Sequence, residues 1–437
     1  MPTKSPEPRR VAPEPRRVAL NRTHPLFPWA VWGLGALLFF YAFFHRVAPA
    51  VMVGELMRDF AVGGAILGTL SALYFYPYAA LQIPLGLMLD RWGPRRVLTV
   101  AAAFCGLGSL VFATADNLVI AYVGRAMIGA GAAFGWIGTL NLIAIWFPPS
   151  RFAFMAGVTA MVGMSGAVAG QAPLAEVIDA YGWRETLIAA AGYGGVLAIA
   201  FWVVVRNPAG KTAGNGGRRA EGSIWNNLRE VLSTPQIWYL GLVIAAVSVP
   251  LLTFASLWGV PYMMSAFAMT RTEAASSTSL LLIGWAIGAP LVGWLSDRMK
   301  SRKIPVLFST VGSFAAILAV VYVPDLPKNA VLFLIFFNGF AGSASVVTYA
   351  TGRENVRAAV SAATMGTMNC LAMAVSAVFQ PVMGLILDMF WDGHMEAGAR
   401  IYDTGAYQMA FLIYAGCAVI AIVASFLVKE TRCRQIC

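Results

Sequence analysis

Charge is what this chain has least of. Only 12% of its 437 residues are charged and 59% are hydrophobic, where a soluble domain carries about 25% charged residues. That shortage excludes an ordinary soluble domain, because too few polar side chains exist to cover so much apolar surface. Cysteine is scarce as well. Cys105, Cys370, Cys417, Cys433 and Cys437 show no CxxC pairing and no metal-ligand spacing, so neither a disulfide framework nor a metal site is indicated. A nucleotide phosphate loop is missing, and no Ser/His/Asp or paired-carboxylate arrangement stands out. The sequence therefore points away from an enzyme and from ATP-driven transport, and no cofactor is expected.

What the chain has instead is apolar length. Runs of roughly 18 or more apolar residues recur, each able to cross a bilayer core; a transmembrane barrel would show alternating segments of about 10 residues. The runs predict twelve spans, near 27–53, 62–88, 97–114, 118–147, 152–178, 186–205, 236–261, 274–295, 304–323, 329–350, 359–387 and 407–428. An even number puts both termini on one side. Of 31 Lys and Arg, 24 then fall on the terminal side, five on the other, and two (Arg46 and Arg125) within spans. Basic residues are retained on the cytoplasmic side, so both termini are expected in the cytoplasm and the protein in the inner membrane of a bacterium. The net charge of +11 reflects this topology and no nucleic-acid partner; the bilayer is the partner.

Residues 1–25 are rich in Pro and Arg, with Pro-Glu-Pro-Arg-Arg-Val-Ala at 6–12 repeated at 13–19. Such composition predicts a disordered cytoplasmic tail, and the first apolar run is too long for a cleavable signal peptide. Two six-helix halves, 26–205 and 236–428, flank a cytoplasmic linker at 206–235, and a short tail follows at 429–437. The linker has a flexible Gly-rich core at 210–217 and an amphipathic stretch at 224–232.

The chain is organised around the loop Gly86-Leu-Met-Leu-Asp90-Arg91-Trp-Gly93-Pro-Arg95-Arg96. A second copy, Gly293-Trp-Leu-Ser-Asp297-Arg298-Met-Lys300-Ser-Arg302-Lys303, follows 207 residues later. A finer repeat runs through it. Pro84 precedes Asp90, Pro173 precedes Asp179, Pro290 precedes Asp297 and Pro381 precedes Asp388, each by six or seven residues. The four copies sit on spans 2, 5, 8 and 11. Spans 2 and 5 run in opposite directions, so each half reads as two inverted three-helix units, a pattern of secondary transporters.

These residues resemble the major facilitator superfamily. The two charged loops and the twelve spans carry the resemblance, supported by Arg125-x-x-x-Gly129-x-Gly131 on span 4, Gly182-Trp-Arg184 before span 6 and the stretch 257–262 ending span 7. It covers roughly residues 26–430 and implies an all-α polytopic protein whose two halves rock around a central site. It also implies a conformational gate in Gly86, Asp90, Arg91, Gly93, Arg95, Arg96, Gly293, Asp297 and Arg298. Physically, a carboxylate there could dock on the positive N-terminal end of span 11, near Ala359–Ser361, from across the seam between the halves. The loop bases serve topology equally well. The acids do not, because acids take little part in positive-inside sorting.

An arginine inside a span costs about 2.5–3.5 kcal/mol on insertion scales, so it faces a cavity or a partner. Two positions are open to Arg46, which follows His45. Counting from Phe27 puts it at the outer interface, whereas the apolar run through Val53 puts it inside. A guanidinium in a cavity suits a carboxylate or phosphate, which it grips bidentately, and the resemblance places an arginine here in organic-anion branches. Snorkelling and substrate work both remain open for Arg125. Tyr74, Asn141 and Asn369 are further candidates for the path, against the alternative that polar residues glue helices together.

His45 is a candidate to titrate near neutral pH, although a lone histidine is more often structural, while Ala132 and Ala133 stand where proton-coupled relatives often carry a glutamate. The helix-5 segment 163–173 lacks the Gly-Pro pair of drug-proton antiporters. Met365, Met368, Cys370 and Met373 are soft enough for Cu(I), though methionine also fills packing gaps. The expected function is a monomeric secondary transporter of a small organic anion, with H+ as a candidate coupling ion. The alternatives are a carrier of an amino acid or other zwitterion, a drug or metabolite exporter, and a receptor that kept the fold without turnover.

Overall fold

The computed structural model describes residues 26–82, 84–207, 229–357 and 360–435; the side chains of residues 87, 90, 149, 153 and 362 lie outside that description. The N-terminal tail, most of the expected linker and the side chain of Asp90 are therefore outside the described residues. Among the described residues, twelve helices are long and apolar enough to cross a membrane. Spans 1–6 are Phe27–Val51, Gly64–Leu81, Arg91–Ala113, Leu118–Trp146, Phe154–Tyr181 and Trp183–Val204. Spans 7–12 are Pro235–Phe267, Arg271–Met299, Lys303–Tyr322, Lys328–Glu354, Ala363–Met389 and Thr404–Leu427. The protein is an all-α, multi-pass membrane protein in two six-helix halves.

The ends of the spans differ from the sequence reading where local chemistry outweighs hydropathy. Spans 7 and 8, read as 236–261 and 274–295, run on to Phe267 and Met299. Span 8 begins at a capping box, in which the Thr270 hydroxyl accepts from the Glu273 backbone N–H and Glu273 accepts from the Thr270 N–H. Several spans are interrupted. Span 1 is α-helical from Phe27 to Val47 and then tightens into a 3-10 turn, Ala48–Val51, where Pro49 lacks a backbone N–H. Span 2 breaks between Ala72 and Phe75, span 5 between Ala169 and Ala172, and span 10 between Gly342 and Ser345. Span 7 widens into a π segment, Pro250–Trp258. Such breaks persist in a membrane only where neighbours satisfy the freed backbone groups; those in spans 2, 5, 7 and 10 fall near the middle of their spans.

Within the N-terminal half, span 3 packs on spans 4 and 6, and span 1 on span 5; within the other, spans 9 and 10 pack together and span 7 lies on spans 11 and 12. The halves meet along two seams, span 2 against span 11 and span 5 against span 8. Approach at the first seam is close: a Cβ on Gly384 would stand 2.0 Å from the Gly64 carbonyl oxygen. Large apolar side chains such as Leu107, Val196, Ile199, Val419 and Phe426 point outward, as lipid-facing residues do. A hairpin, Met395–Glu396 paired with Ala399–Arg400, projects between spans 11 and 12.

Candidate functional site

Consecutive residues on an α-helix point about 100° apart, so His45 and Arg46, in the last turn of the Phe27–Val47 helix, face different neighbours. Arg46 is buried among protein side chains, 6% exposed. Its guanidinium lies 4.2 Å from the ring centre of Phe43, 5.2 Å from Tyr78 and 5.6 Å from Tyr74. Its Nε is buried without a partner. Tyr74 is locked in place by donating its hydroxyl to the Ala42 carbonyl at 3.0 Å.

Behind Tyr74 lies the second guanidinium. Arg125 is 1% exposed, which excludes snorkelling. Its Nη1 donates to the His45 carbonyl at 3.0 Å and its Nη2 to the Ser71 carbonyl at 3.5 Å, while Nε has no partner. The Tyr74 ring is 5.5 Å from it, and Phe112 5.9 Å. His45 packs edge-on against Tyr41 at 4.5 Å, with its own Nε2 unpartnered.

Among the described residues neither guanidinium has a carboxylate partner. Magnitudes show what this means. Removing a cation from water costs several kcal/mol even after relaxation, and a desolvated cation–π contact returns about 2 kcal/mol. Both cations also flank one ring, Tyr74, so they stand no more than about 11 Å apart and repel by roughly 1.5 kcal/mol at an effective dielectric constant of about 20. The aromatic rings offset part of this.

From the C-terminal half, Tyr349 on span 10 comes within electrostatic range of Tyr78 across the seam and donates its hydroxyl to Asn369 Oδ1 on span 11 at 3.2 Å. Thus Arg46, Tyr74, Tyr78, Tyr349 and Asn369 converge, with His45 and Arg125 behind them. Asn141, on span 4, has a buried Oδ1 with no partner and makes no resolved contact with this group. Sequence reasoning missed Tyr349. Its only signal is a phenol in an apolar span, which it shares with Tyr41, whose hydroxyl merely donates to the Ala190 carbonyl.

The described side chains of the charged loops pair within their own halves. Gly93 has φ +76°, which favours glycine, and Asn207 sits where its Cβ would be. Beside it the Arg95 N–H donates to Asn207 Oδ1 at 3.2 Å, its Nε donates to the Trp202 carbonyl at 2.8 Å, and its guanidinium stacks 4.3 Å over the Trp202 ring. Arg91, Arg96 and Gly86 are exposed. In the second copy Arg302 bridges Asp297 and Glu354, each at 2.7 Å, Glu430 accepts from the backbone N–H groups of Arg302 and Lys303, and Arg298 lies 5.4 Å over Trp294. Asp297 therefore pairs within its own half and not across the seam. Gly293 has open space around it. The expected docking point near Ala359 lies partly outside the described residues, as does the Asp90 side chain.

Among the described residues, the hydrogen bonds and ion pairs that join the halves lie in the interior or on the face away from the termini. Arg271, opening span 8, reaches Glu55 at 2.5 Å and Asp179 at 3.1 Å. Asp388, closing span 11, accepts from the backbone N–H groups of Gly64 and Ala65, each at 2.9 Å, from Tyr402 at 2.6 Å and from Arg400 at 3.0 Å. Deeper in, Gln171 Nε2 donates to the Ala255 carbonyl at 2.5 Å. The face away from the termini is shut.

Known proteins place this architecture. A probable sulfoacetate transporter of Cupriavidus necator, SauU, is 24% identical over 420 residues, covering 91% of this chain and 93% of its own. A gallate transporter of Pseudomonas putida is 23% identical over 334 residues, 68% of this chain and 72% of its own. The solved structure of a bacterial homologue of the human lysosomal transporter Spinster, inward-facing and unoccupied, superposes with a TM-score of 0.76 at 16% identity, covering 92% of this chain and 98% of that one. Relatives and fold are those of transporters, not enzymes, and imply a small-molecule substrate. The Major Facilitator Superfamily profile matches residues 34–377 and, overlapping, 253–434, and the chain belongs to that superfamily.

Proposed function

We propose that the protein is a secondary carrier of a small organic anion, gripped by Arg46 at the seam while the two halves rock around it. The observation that carries this reading is a buried guanidinium on span 1, ringed by Phe43, Tyr74 and Tyr78, with no acid partner among the described residues. Relatives named for sulfoacetate and gallate support it. A zwitterion fits less well, because its ammonium would join two guanidinium groups with no described carboxylate to receive it. With the termini in the cytoplasm, as 24 basic residues on that side against five favour, a shut far face makes this the inward-open state in the inner membrane. Asp90, Asp297 and their loops then act as the gate that closes in the opposite state. His45 is the candidate for proton coupling, as an imidazole whose backbone carbonyl accepts from the Arg125 guanidinium.

Reconstituted vesicles loaded with a candidate anion test this by counterflow. Wild-type protein exchanges label. Arg46→Ala abolishes exchange while the purified variant keeps its monodisperse, helical state, and Arg46→Lys restores only a fraction, since an ammonium cannot grip bidentately. Full exchange in Arg46→Ala would end the reading. Binding without any flux in wild type would instead favour a receptor.

A further inference from the structure

We propose that the seam site takes monoanions built on a planar aromatic body, arene carboxylates or arenesulfonates. Arg46 holds the acid group and a row of rings holds the arene. The inference rests on the anion-carrier reading and narrows it to a substrate class.

Three observations carry it. First, one cation is available and not two. Arg125 is sealed behind Tyr74 at 1% exposure, with two of its nitrogens committed to the His45 and Ser71 carbonyls. A dianion would leave its second charge buried without a match, at high cost. Second, a row of rings leads away from Arg46. Phe43 stacks on the guanidinium, Phe39 meets Phe43 edge-on at 4.7 Å, and Trp136 of span 4 leans on Phe39 at 5.2 Å with the planes 38° apart. Phe39 and Phe43 are four residues apart, so they stack along one face of span 1, and the row runs from Arg46 toward the Phe27 end of that span, away from the shut face. Phe43 and Trp136 are only partly buried, leaving ring surface to meet a ligand. Third, polar partners are few. Tyr349 and Asn369 already bond each other, and Tyr78 faces the guanidinium. A polyhydroxylated acid would bury hydroxyls with too few donors and acceptors to receive them, whereas an aromatic ring gains from offset or edge contact with the row.

Calorimetric titration of full-length purified protein tests this with four probes: benzoate, propionate, glucarate and sulfoacetate. Benzoate is expected to bind about tenfold or more tighter than the other three, and to lose measurable binding in Arg46→Ala. Trp136→Leu should weaken benzoate by roughly threefold to tenfold and leave propionate unmoved, and Trp136→Phe, which keeps an aromatic face, should recover most of the loss. Should Trp136→Leu fold poorly, Trp136→Phe and the wild-type ranking still decide. Glucarate or sulfoacetate binding tighter than benzoate, with dependence on Arg46, would overturn the aromatic class and leave the anion reading standing. Equal losses for benzoate and propionate in Trp136→Leu would also overturn it. No Arg46-dependent binding of any anion would remove both.

Discussion

The two ends of the molecule use acids in opposite ways. On the face away from the termini, Asp388 and Asp179 reach across the seam: Asp388 caps the first turn of span 2, and Asp179 meets Arg271 at the first residue of span 8. On the terminal face Asp297, the acid of the repeat whose side chain is described there, stays home and pairs with Arg302 of its own loop. One motif thus serves as a clasp between halves at one end and as a brace within a half at the other. A carboxylate that accepts from two helix N-terminal N–H groups interacts with both the hydrogen bonds and the dipole. Such a contact exists only while the halves touch. The braces do not depend on that contact, so they leave the terminal face free to stay open.

The largest effect in breaking that asymmetry should come from Asp388→Asn. The amide keeps the volume but removes the charge that four donors address, with an expected cost of about 2–3 kcal/mol to the shut far face. That is a shift of roughly 30-fold to 150-fold in population between states. Electron–electron distances between spin labels on the outer ends of spans 2 and 11 should lengthen; unchanged distances would make Asp388 a bystander. Arg271→Ala should act in the same direction. The half-exposed Asp179 contributes little to its effect, and most of it should come from Glu55, left without its cation.

Next in size come the braces, and they are unequal. Arg302 is buried against two acids, so Arg302→Ala leaves Glu354 without its cation and should lower stability by about 2–4 kcal/mol. Arg95→Ala loses one backbone acceptor and a stack on Trp202, about 1 kcal/mol. Thermal unfolding in detergent should rank them in that order, and neither should alter the label distances on the far face. Acid sharpens the same contrast. Although burial alone would push Glu430 up, backbone N–H groups of Arg302 and Lys303 hold it down to about 2, below its ordinary 4.5. A depressed carboxylate contributes stability that is complete above its ordinary value and fades as pH falls toward the lowered one. The second loop should therefore keep this brace at pH 5 and lose it progressively between about 4.5 and 2. Glu430→Gln should flatten that part of the stability profile.

Much of this was legible in one dimension. Twelve apolar runs, the bias of basic residues and the phased prolines led to the fold, because each is a property of composition against position. Span ends were less so: Met299 and Phe267 depend on caps and a π segment that hydropathy does not register. The candidate site was half legible. Arg46 stood out because a charge in an apolar run is costly wherever it points. Tyr349 did not stand out, since what distinguishes it from Tyr41 is a neighbour 271 residues away in sequence, Tyr78. The roles of Asp179 and Asp388 were hidden likewise. Their spacing from the prolines was visible, but an acid's partner across a seam is a fact of three dimensions.

The smallest predicted effect tests whether the two loops are copies in backbone as well as in sequence. Aligning them sets Lys300 against Gly93. Both have positive φ, but not the same conformation: Gly93 is at φ +76°, ψ 155°, and Lys300 at φ +51°, ψ 37°. The second is the left-handed helical region that a lysine can enter at a cost of about 1 kcal/mol; the first is tolerated almost by glycine alone. Lys300→Gly should therefore leave stability within about 1 kcal/mol of wild type, the relieved strain set against the greater freedom of an unfolded glycine. Gly93→Ala should cost about 1–3 kcal/mol, and it would also displace Asn207 from Arg95. If Gly93→Ala proved as mild as Lys300→Gly, the backbone turn at Gly93 would be relaxed, and the Asn207–Arg95 brace would need another reason for its geometry.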